Sequence, residues 1–130
     1  MDEPIKTRVL IVDDEPVCVE FIVEWLVPLG YEMATAFDGD QAIAKSTEFK
    51  PNFVILGVMM PRLTGLEAAP HILKILPESK IIFITSGSNV AYPEFIKGYK
   101  QCGFDVGCLL GKPFSRAELI EKLRYVGCPV

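Results

Sequence analysis

Several positions in this 130-residue sequence carry groups whose chemistry would combine if the fold brought them together. Asp13 and Asp14 are adjacent carboxylates directly after the apolar run Val9-Leu10-Ile11-Val12. Such a pair suits a hard, oxygen-seeking cation such as Mg2+ and repels a bare phosphate. Asp14 could equally do no more than cap the helix that starts at Glu15-Pro16. Thr85 and Ser86 offer hydroxyls able to donate to an oxyanion, or simply to open a loop. Lys112, within Gly111-Lys112-Pro113-Phe114, could pair with the acids, hold a phosphoryl group or lie on the surface. Gly57, after Phe53-Val54-Ile55-Leu56, brings no side chain at all.

The elements around these positions alternate in type. Apolar, β-branched runs predict strands over 9–12, 31–36, 53–56, 80–84 and 106–110. Helical patterns fall between and after them, over 15–29, 38–49, 66–76, 93–102 and 115–126. Asp38 reads as an N-cap, and Ser115 with Glu118 three residues later reads as a capping box. Pro70 should kink the third helix or delay its start, whereas Pro93 sits in a first turn, where proline is tolerated. In the first helix Cys18, Phe21, Ile22, Trp25, Leu26 and Leu29 are expected to face inward. Val19, Val23 and Val27 fall away from them, beside Glu20 and Glu24. Those valines read either as ordinary surface scatter or as an apolar patch for self-association or a partner helix.

A (βα)5 alternation predicts an α/β, doubly wound fold: a parallel five-stranded sheet covered by helices on both faces. Sites in such sheets lie at the carboxyl ends of the strands. Asp13, Asp14, Gly57, Thr85, Ser86, Gly111 and Lys112 all fall there, which makes a shared site more credible than any one of them does alone.

Composition excludes several classes. Half of the residues are hydrophobic and 23% are charged, enough for one core and against disorder. The longest apolar run, 53–60, is too short to cross a bilayer, and the start shows no signal peptide. A single cytoplasmic domain over 1–130 is expected. The net charge of −4 argues against direct nucleic-acid binding. It is unevenly spread: residues 1–40 hold ten acids and two bases, and residues 41–130 seven acids and eleven bases. The four cysteines form no C-x-x-C pair, and His71 is the only histidine. Reduced, mostly buried thiols are expected rather than a zinc site or a Cys–His catalytic pair. The turn after the first strand has neither of the glycine-rich phosphate motifs.

Residues 9–16, Val-Leu-Ile-Val-Asp-Asp-Glu-Pro, resemble the opening of a response regulator receiver domain. Residues 51–61 with Gly65 resemble the third strand and following loop of that family. Thr85 matches its hydroxyl position, and Lys112-Pro113-Phe114 its lysine–proline motif. The resemblance covers essentially the whole chain. It implies the flavodoxin-like strand order 2-1-3-4-5 and a role in two-component, phosphorelay signalling. It also implies a Mg2+ site at Asp13, Asp14 and the Met59 main-chain carbonyl, a phosphoryl pocket at Thr85, Ser86 and Lys112, and a cis Lys112–Pro113 peptide. Protein partners follow from it: a sensor kinase or a downstream regulator. The family's commoner interaction face would carry Lys97, Lys100, Arg116, Lys122 and Arg124.

Three features depart from the family. Where a receiver has the aspartate that accepts the phosphoryl group, this chain has Gly57, which cannot be a nucleophile. The aromatic switch position is Leu109. The stretch from Thr85 to Lys112 is several residues longer than usual, with the extra length placed over 87–92. Together they identify a pseudo-receiver that is not an enzyme and signals by binding. With a carboxylate missing, Mg2+ binding should be weakened, and Lys112 should turn to Asp13 or Asp14 and partly replace the metal. Two other readings stay open. One is an ordinary phosphoacceptor receiver whose aspartate has been replaced at Gly57. The other is a flavodoxin-like small-ligand binder. The sequence also leaves open whether the domain stands alone or belongs to a longer protein.

Overall fold

The computed structural model describes residues 5–130; Asp2 and Glu3, counted in the acidic half of the chain, lie outside the described residues. Five strands form one parallel sheet: β1 (Arg8–Val12), β2 (Glu32–Ala36), β3 (Phe53–Gly57), β4 (Lys80–Ser86) and β5 (Leu109–Lys112). Their order is β2-β1-β3-β4-β5, as expected for a flavodoxin-like fold. Six helices accompany them: α1 (Pro16–Leu26), α2 (Gly39–Phe49), α3 (Gly65–Ile75), α4 (Gly87–Val90), α5 (Pro93–Gln101) and α6 (Arg116–Tyr125). None is long and apolar enough to cross a membrane, among the described residues.

Side-chain alternation along the strands builds two cores, one on each face of the sheet. Val9 and Ile11 of β1 and Ile55, Ile82 and Ile84 pack against Val19, Ile22 and Leu26 of α1 and Leu119 and Leu123 of α6. Leu10, Val12, Val54, Leu56 and Phe83 face the other way, against Ala42, Ala69, Ile72 and Tyr99 of α2, α3 and α5. All five residues of β3 are buried, which fits its central place and its lack of polar alternation.

The turn chemistry explains most boundaries. Asp38 caps α2 by accepting from the Gln41 N–H, and Ser115 and Glu118 make the reciprocal box that opens α6. A second box, between Thr64 and Glu67, fixes the start of α3. The helix therefore begins at Gly65, not later, and runs on through Pro70, which is exposed and forfeits one internal hydrogen bond. The fifth strand starts later than its apolar run suggests. The Asp105 carboxylate accepts from the Gly107 N–H, so 106–108 close into a 3-10 turn and pairing with β4 begins at Leu109.

Two expectations about side chains need correcting. Val19 is buried, whereas Phe21 is 52% exposed. α1 is apolar nearly all round, so its periodicity could not say which stripe meets the sheet; Val19, Ile22 and Leu26 do. Of the four free cysteines only Cys128 is buried; Cys18 and Cys108 are half-buried and Cys102 is exposed. Their neighbours, not their type, decide this.

Candidate functional site

The strand ends converge as the alternation predicts. β1 stops at Val12, so Asp13 sits on the carboxyl edge, 2% exposed on its side chain. β3 ends at Gly57, hydrogen-bonded in register with Ile84 of β4. Thr85 and Ser86 of β4 pair with Gly111 and Lys112 of β5. Asp13, Glu15, Gly57, Met59, Thr85, Ser86 and Lys112 line one pocket of about 170 Å3. Asp14 is exposed and does not line it, although the carboxylates of Asp13, Asp14 and Glu15 come within 4.8 Å of one another.

Lys112 dominates the electrostatics. Its ammonium lies 2.9 Å from Asp13 Oδ2 and 2.8 Å from Glu15 Oε1. It thus turns to Asp13, not Asp14, and takes Glu15 as a second partner. Glu15 escapes notice in the sequence because it reads as the start of a helix; only the fold lays it beside the end of β5. Burial works to lower the Lys112 pKa, but the hydrogen bonds to Glu15 and Asp13 outweigh it and hold the ammonium above the usual lysine value. The same ammonium holds Glu15 below the usual carboxylate range. Asp14 goes the other way: burial first, then the Asp13 charge, raise its pKa. The nearby Cys18 thiol is pushed up to about 11, by burial first and then by the Asp13 charge.

The donor set has the chemistry of a hard-cation site, but its atoms are largely occupied. Asp13 Oδ1 accepts the Glu15 N–H at 2.9 Å, and Oδ2 faces Lys112. As they stand, these residues fit a Mg2+ ion poorly, because the ion would have to displace the lysine.

Gly57 leaves room that matters. A Cβ there would lie 3.1 Å from Asp13 Oδ2 and 3.4 Å from the Val12 carbonyl. A side chain would therefore press on the same carboxylate that Lys112 holds. Across the loop, Gly65 is required by close approach: a Cβ on it would come within 2.1 Å of the Gly57 carbonyl oxygen. The N-terminus of α3 is thereby seated directly on the end of β3, and the Gly65 N–H donates to the Val58 carbonyl at 2.8 Å.

On the other side of the pocket the loop after β4 is tied down. The Asn89 amide donates to Thr85 Oγ1 at 2.9 Å, and the Asn89 N–H donates to Ser86 Oγ. A Cβ on Gly87 would meet the Lys112 carbonyl at 2.8 Å, and one on Gly111 would meet Val90 at 3.0 Å, so α4 lies flat on β5. Residues Gly87–Val90 of that loop thus form a helical turn. The linear motif does not reveal Asn89 beside the site; the turn from β4 into α4 brings its amide back onto Thr85. Leu109 is buried among the core residues that include Phe83 and Tyr99. The Lys112–Pro113 peptide is cis.

Comparison with known proteins adds relatives. The chain matches the response regulator receiver domain family over residues 9–124. It is similar to the chemotaxis protein CheY of Thermotoga maritima, 34% identical over 122 residues, covering 92% of this chain and 96% of that protein. It is also similar to the alkaline phosphatase synthesis transcriptional regulatory protein PhoP of Bacillus subtilis, 31% identical over 121 residues. That match covers 92% of this chain but 48% of PhoP, so the chain spans about half the length of such regulators. Among solved structures, the Vibrio cholerae chemotaxis protein CheY4 superposes with a TM-score of 0.81 at 29% identity, covering 94% of this chain and 99% of that one. The receiver domain of NtrX from Brucella abortus gives 0.77 at 30% identity, covering 91% and 96%.

Proposed function

Because this chain belongs to the response regulator receiver family, we propose that it is a single receiver-like domain of two-component signalling that acts by binding proteins and not by accepting a phosphoryl group. The observation that carries this reading is the end of β3. Gly57 brings no carboxylate to the pocket, and the Asp13 carboxylate beside it is already neutralised by Lys112 at 2.9 Å. An in-line attack on phosphorus needs a nucleophilic oxygen, and Gly57 has none to offer. Thr85, the nearest hydroxyl at a family position, accepts a hydrogen bond from Asn89 and is 3% exposed.

The tied loop supports a single working conformation. In a receiver that switches, a phosphoryl group would have to draw the hydroxyl at Thr85 and the lysine towards itself. Here Asn89 and the Asp13–Glu15 pair already hold both groups. Mg2+ binds weakly in this reading, through Asp13, Asp14 and the Met59 carbonyl, because it competes with the Lys112 ammonium. Its partners are proteins, a sensor kinase or a downstream regulator, and not nucleic acid or membrane.

Incubation with Mg2+ and acetyl phosphate, followed by intact-mass measurement, should leave the wild-type mass unchanged. Gly57→Asp, measured beside it, should gain one phosphoryl mass that hydroxylamine removes. A stable acyl-phosphate adduct on the wild-type chain would refute the proposal.

A further inference from the structure

The two edges of the sheet are built differently. At one edge α4 lies against β5, where a Cβ on Gly111 would already meet Val90 at 3.0 Å. At the other edge β2 pairs with β1 alone, among the described residues. The Glu32 N–H donates to the Thr7 carbonyl at 2.9 Å, and the Ala36 carbonyl accepts from the Asp13 N–H at 3.3 Å. In a parallel ladder every second residue bonds to a given neighbour. Glu32, Ala34 and Ala36 therefore turn their backbone groups to β1, and Met33 and Thr35 turn theirs outward. No partner meets those outward groups among the described residues. Edge strands are commonly blunted by lysine, proline or a bulge. β2 reads Glu-Met-Ala-Thr-Ala, with neither lysine nor proline, and its register on β1 is unbroken. Its one charge, Glu32, is paired with Arg8 at 3.5 Å. The open stretch stops at Phe37, whose N–H donates to Gln41 Oε1 at 3.0 Å.

A groove of about 300 Å3 runs beside this edge, between α1 and the end of β2. Val19, Val23 and Phe37 give it apolar walls, and Phe37 is 41% exposed. Glu20 and Glu24, both exposed, line it too, and no lysine or arginine does. The charge selects the occupant. The two glutamates are four residues apart, about 6 Å along the helix. Alternate side chains of an extended chain are about 6.6 Å apart, so two basic residues on one face of a strand match them. A second copy is disfavoured. Pairing β2 with its own image about a two-fold axis normal to the sheet puts both α1 helices on one face, and sets Glu20 and Glu24 against their equivalents.

We infer that the β2 edge takes up an extended segment of a partner protein as a sixth strand of the sheet. Its backbone pairs with Met33 and Thr35, which offer two N–H and two carbonyl groups. Lysine or arginine at alternate positions faces Glu20 and Glu24, and an apolar side chain on the same face seats against Val23 and Phe37. The edge involves neither Gly57 nor Lys112, so its role goes beyond that of the strand-end pocket and holds whether or not the chain accepts a phosphoryl group.

The probe is a capped seven-residue peptide, Val-Thr-Lys-Thr-Lys-Thr-Val, which places both lysines and both valines on one face in either direction of pairing. Two controls accompany it: a twin with glutamate for each lysine, and a rearranged peptide of the first composition without the alternation. Each is titrated into the intact protein without Mg2+ or phosphate, followed by NMR shifts and residue-resolved amide exchange. The lysine peptide should bind saturably, at least tenfold more tightly than either control, and more weakly as salt rises. At saturation the Met33 and Thr35 amides should exchange at least tenfold more slowly, while those of Glu32, Ala34 and Ala36, already bonded to β1, change less than twofold. Glu20→Lys with Glu24→Lys, at exposed positions, should keep the wild-type Tm and lose at least tenfold in affinity. Thr35→Pro, which removes an outward N–H and no bond to β1, should lose as much; if it does not fold, the charge reversal and the exchange pattern decide. No saturable binding, equal binding of the glutamate twin, unslowed Met33 and Thr35 amides, or unchanged affinity in the charge-reversed variant overturns the inference. So does a wild-type dimer in sedimentation with those two amides already protected, since it assigns the edge to a second copy. An acetyl-phosphate adduct would refute the binding-only function and leave the peptide result standing, so the two failures are distinguishable.

Discussion

The two halves of the strand-end edge are built differently. On the β1–β3 side the groups are few and neutralised: a bare Gly57, and an Asp13 whose oxygens are taken by the Glu15 N–H and Lys112. On the β4–β5 side the groups are many and immobilised, with Asn89 on Thr85 and two glycines that let α4 lie against β5. Yet the backbone frame beneath both halves is intact, down to the close approach of Gly65 to Gly57. The difference teaches that the scaffold of a receiver does not depend on its chemistry. A strand end can carry no side chain at its last residue, Gly57, and still position its neighbours, because their places are set by sheet register and packing.

That contrast can be broken in a graded way. The largest effect is expected from Gly65→Val, which strikes the shared frame. Its Cβ would collide with backbone that cannot move aside, costing about 3 kcal/mol or more and lowering Tm by roughly 10 °C in a calorimetric scan. A Tm within 2 °C of wild type, by the same measurement, would mean the frame is softer than described. Lys112→Met comes next and strikes the neutralised half. It leaves the nearly buried Asp13 carboxylate without its cation, a loss of about 1–3 kcal/mol once partial exposure of the lysine is allowed for. The variant should also be stabilised by Mg2+ far more than wild type, measured as the shift in urea midpoint with added ion.

Asn89→Ala strikes the immobilised half. Removing the amide leaves the buried Thr85 hydroxyl without that donor, at a cost of about 1 kcal/mol. Amide exchange over 85–92 should quicken while exchange in β1 and β3 stays unchanged. If both halves quicken together, the halves are not independent. The smallest effect is expected from Asp14→Asn. Burial and the Asp13 charge raise the Asp14 pKa, so its ionised form is disfavoured in the folded state. The folded chain therefore holds that proton more tightly than the unfolded chain, and stability contributed by the protonated form is lost as pH rises. The amide should raise stability near pH 7, and the gain should vanish below the ordinary aspartate value of 3.8. Denaturant midpoints at several pH values would detect it.

Much of this was legible in the residues. The strand runs, the caps at Asp38 and Ser115, and the glycine at position 57 are local features, and local chemistry produces local structure. Pro70 predicts a kinked or late α3, whereas the Thr64–Glu67 box, which opens six residues before it, fixes the start at Gly65. β5 begins later than its apolar run predicts because Val106 and Cys108 look strand-like, whereas the Asp105 turn claims them first. The facing of α1 could not be read, since Glu20 and Glu24 alone interrupt its apolar surface and leave more than one possible inner stripe.

By itself the sequence determined the alternation of elements, hence a parallel doubly wound sheet, and with it which residues reach the carboxyl edge. It also determined that position 57 brings no side chain to that edge, because a glycine's missing side chain is missing in any fold. Tertiary structure alone decided which groups meet. That Lys112 bridges Asp13 and Glu15, that Asn89 holds Thr85, and that Val23, Glu24 and Phe37 share a groove all depend on distances between separate segments of the chain. Those distances come from strand register and helix packing, which depend on the whole core at once and so cannot be read from any one stretch.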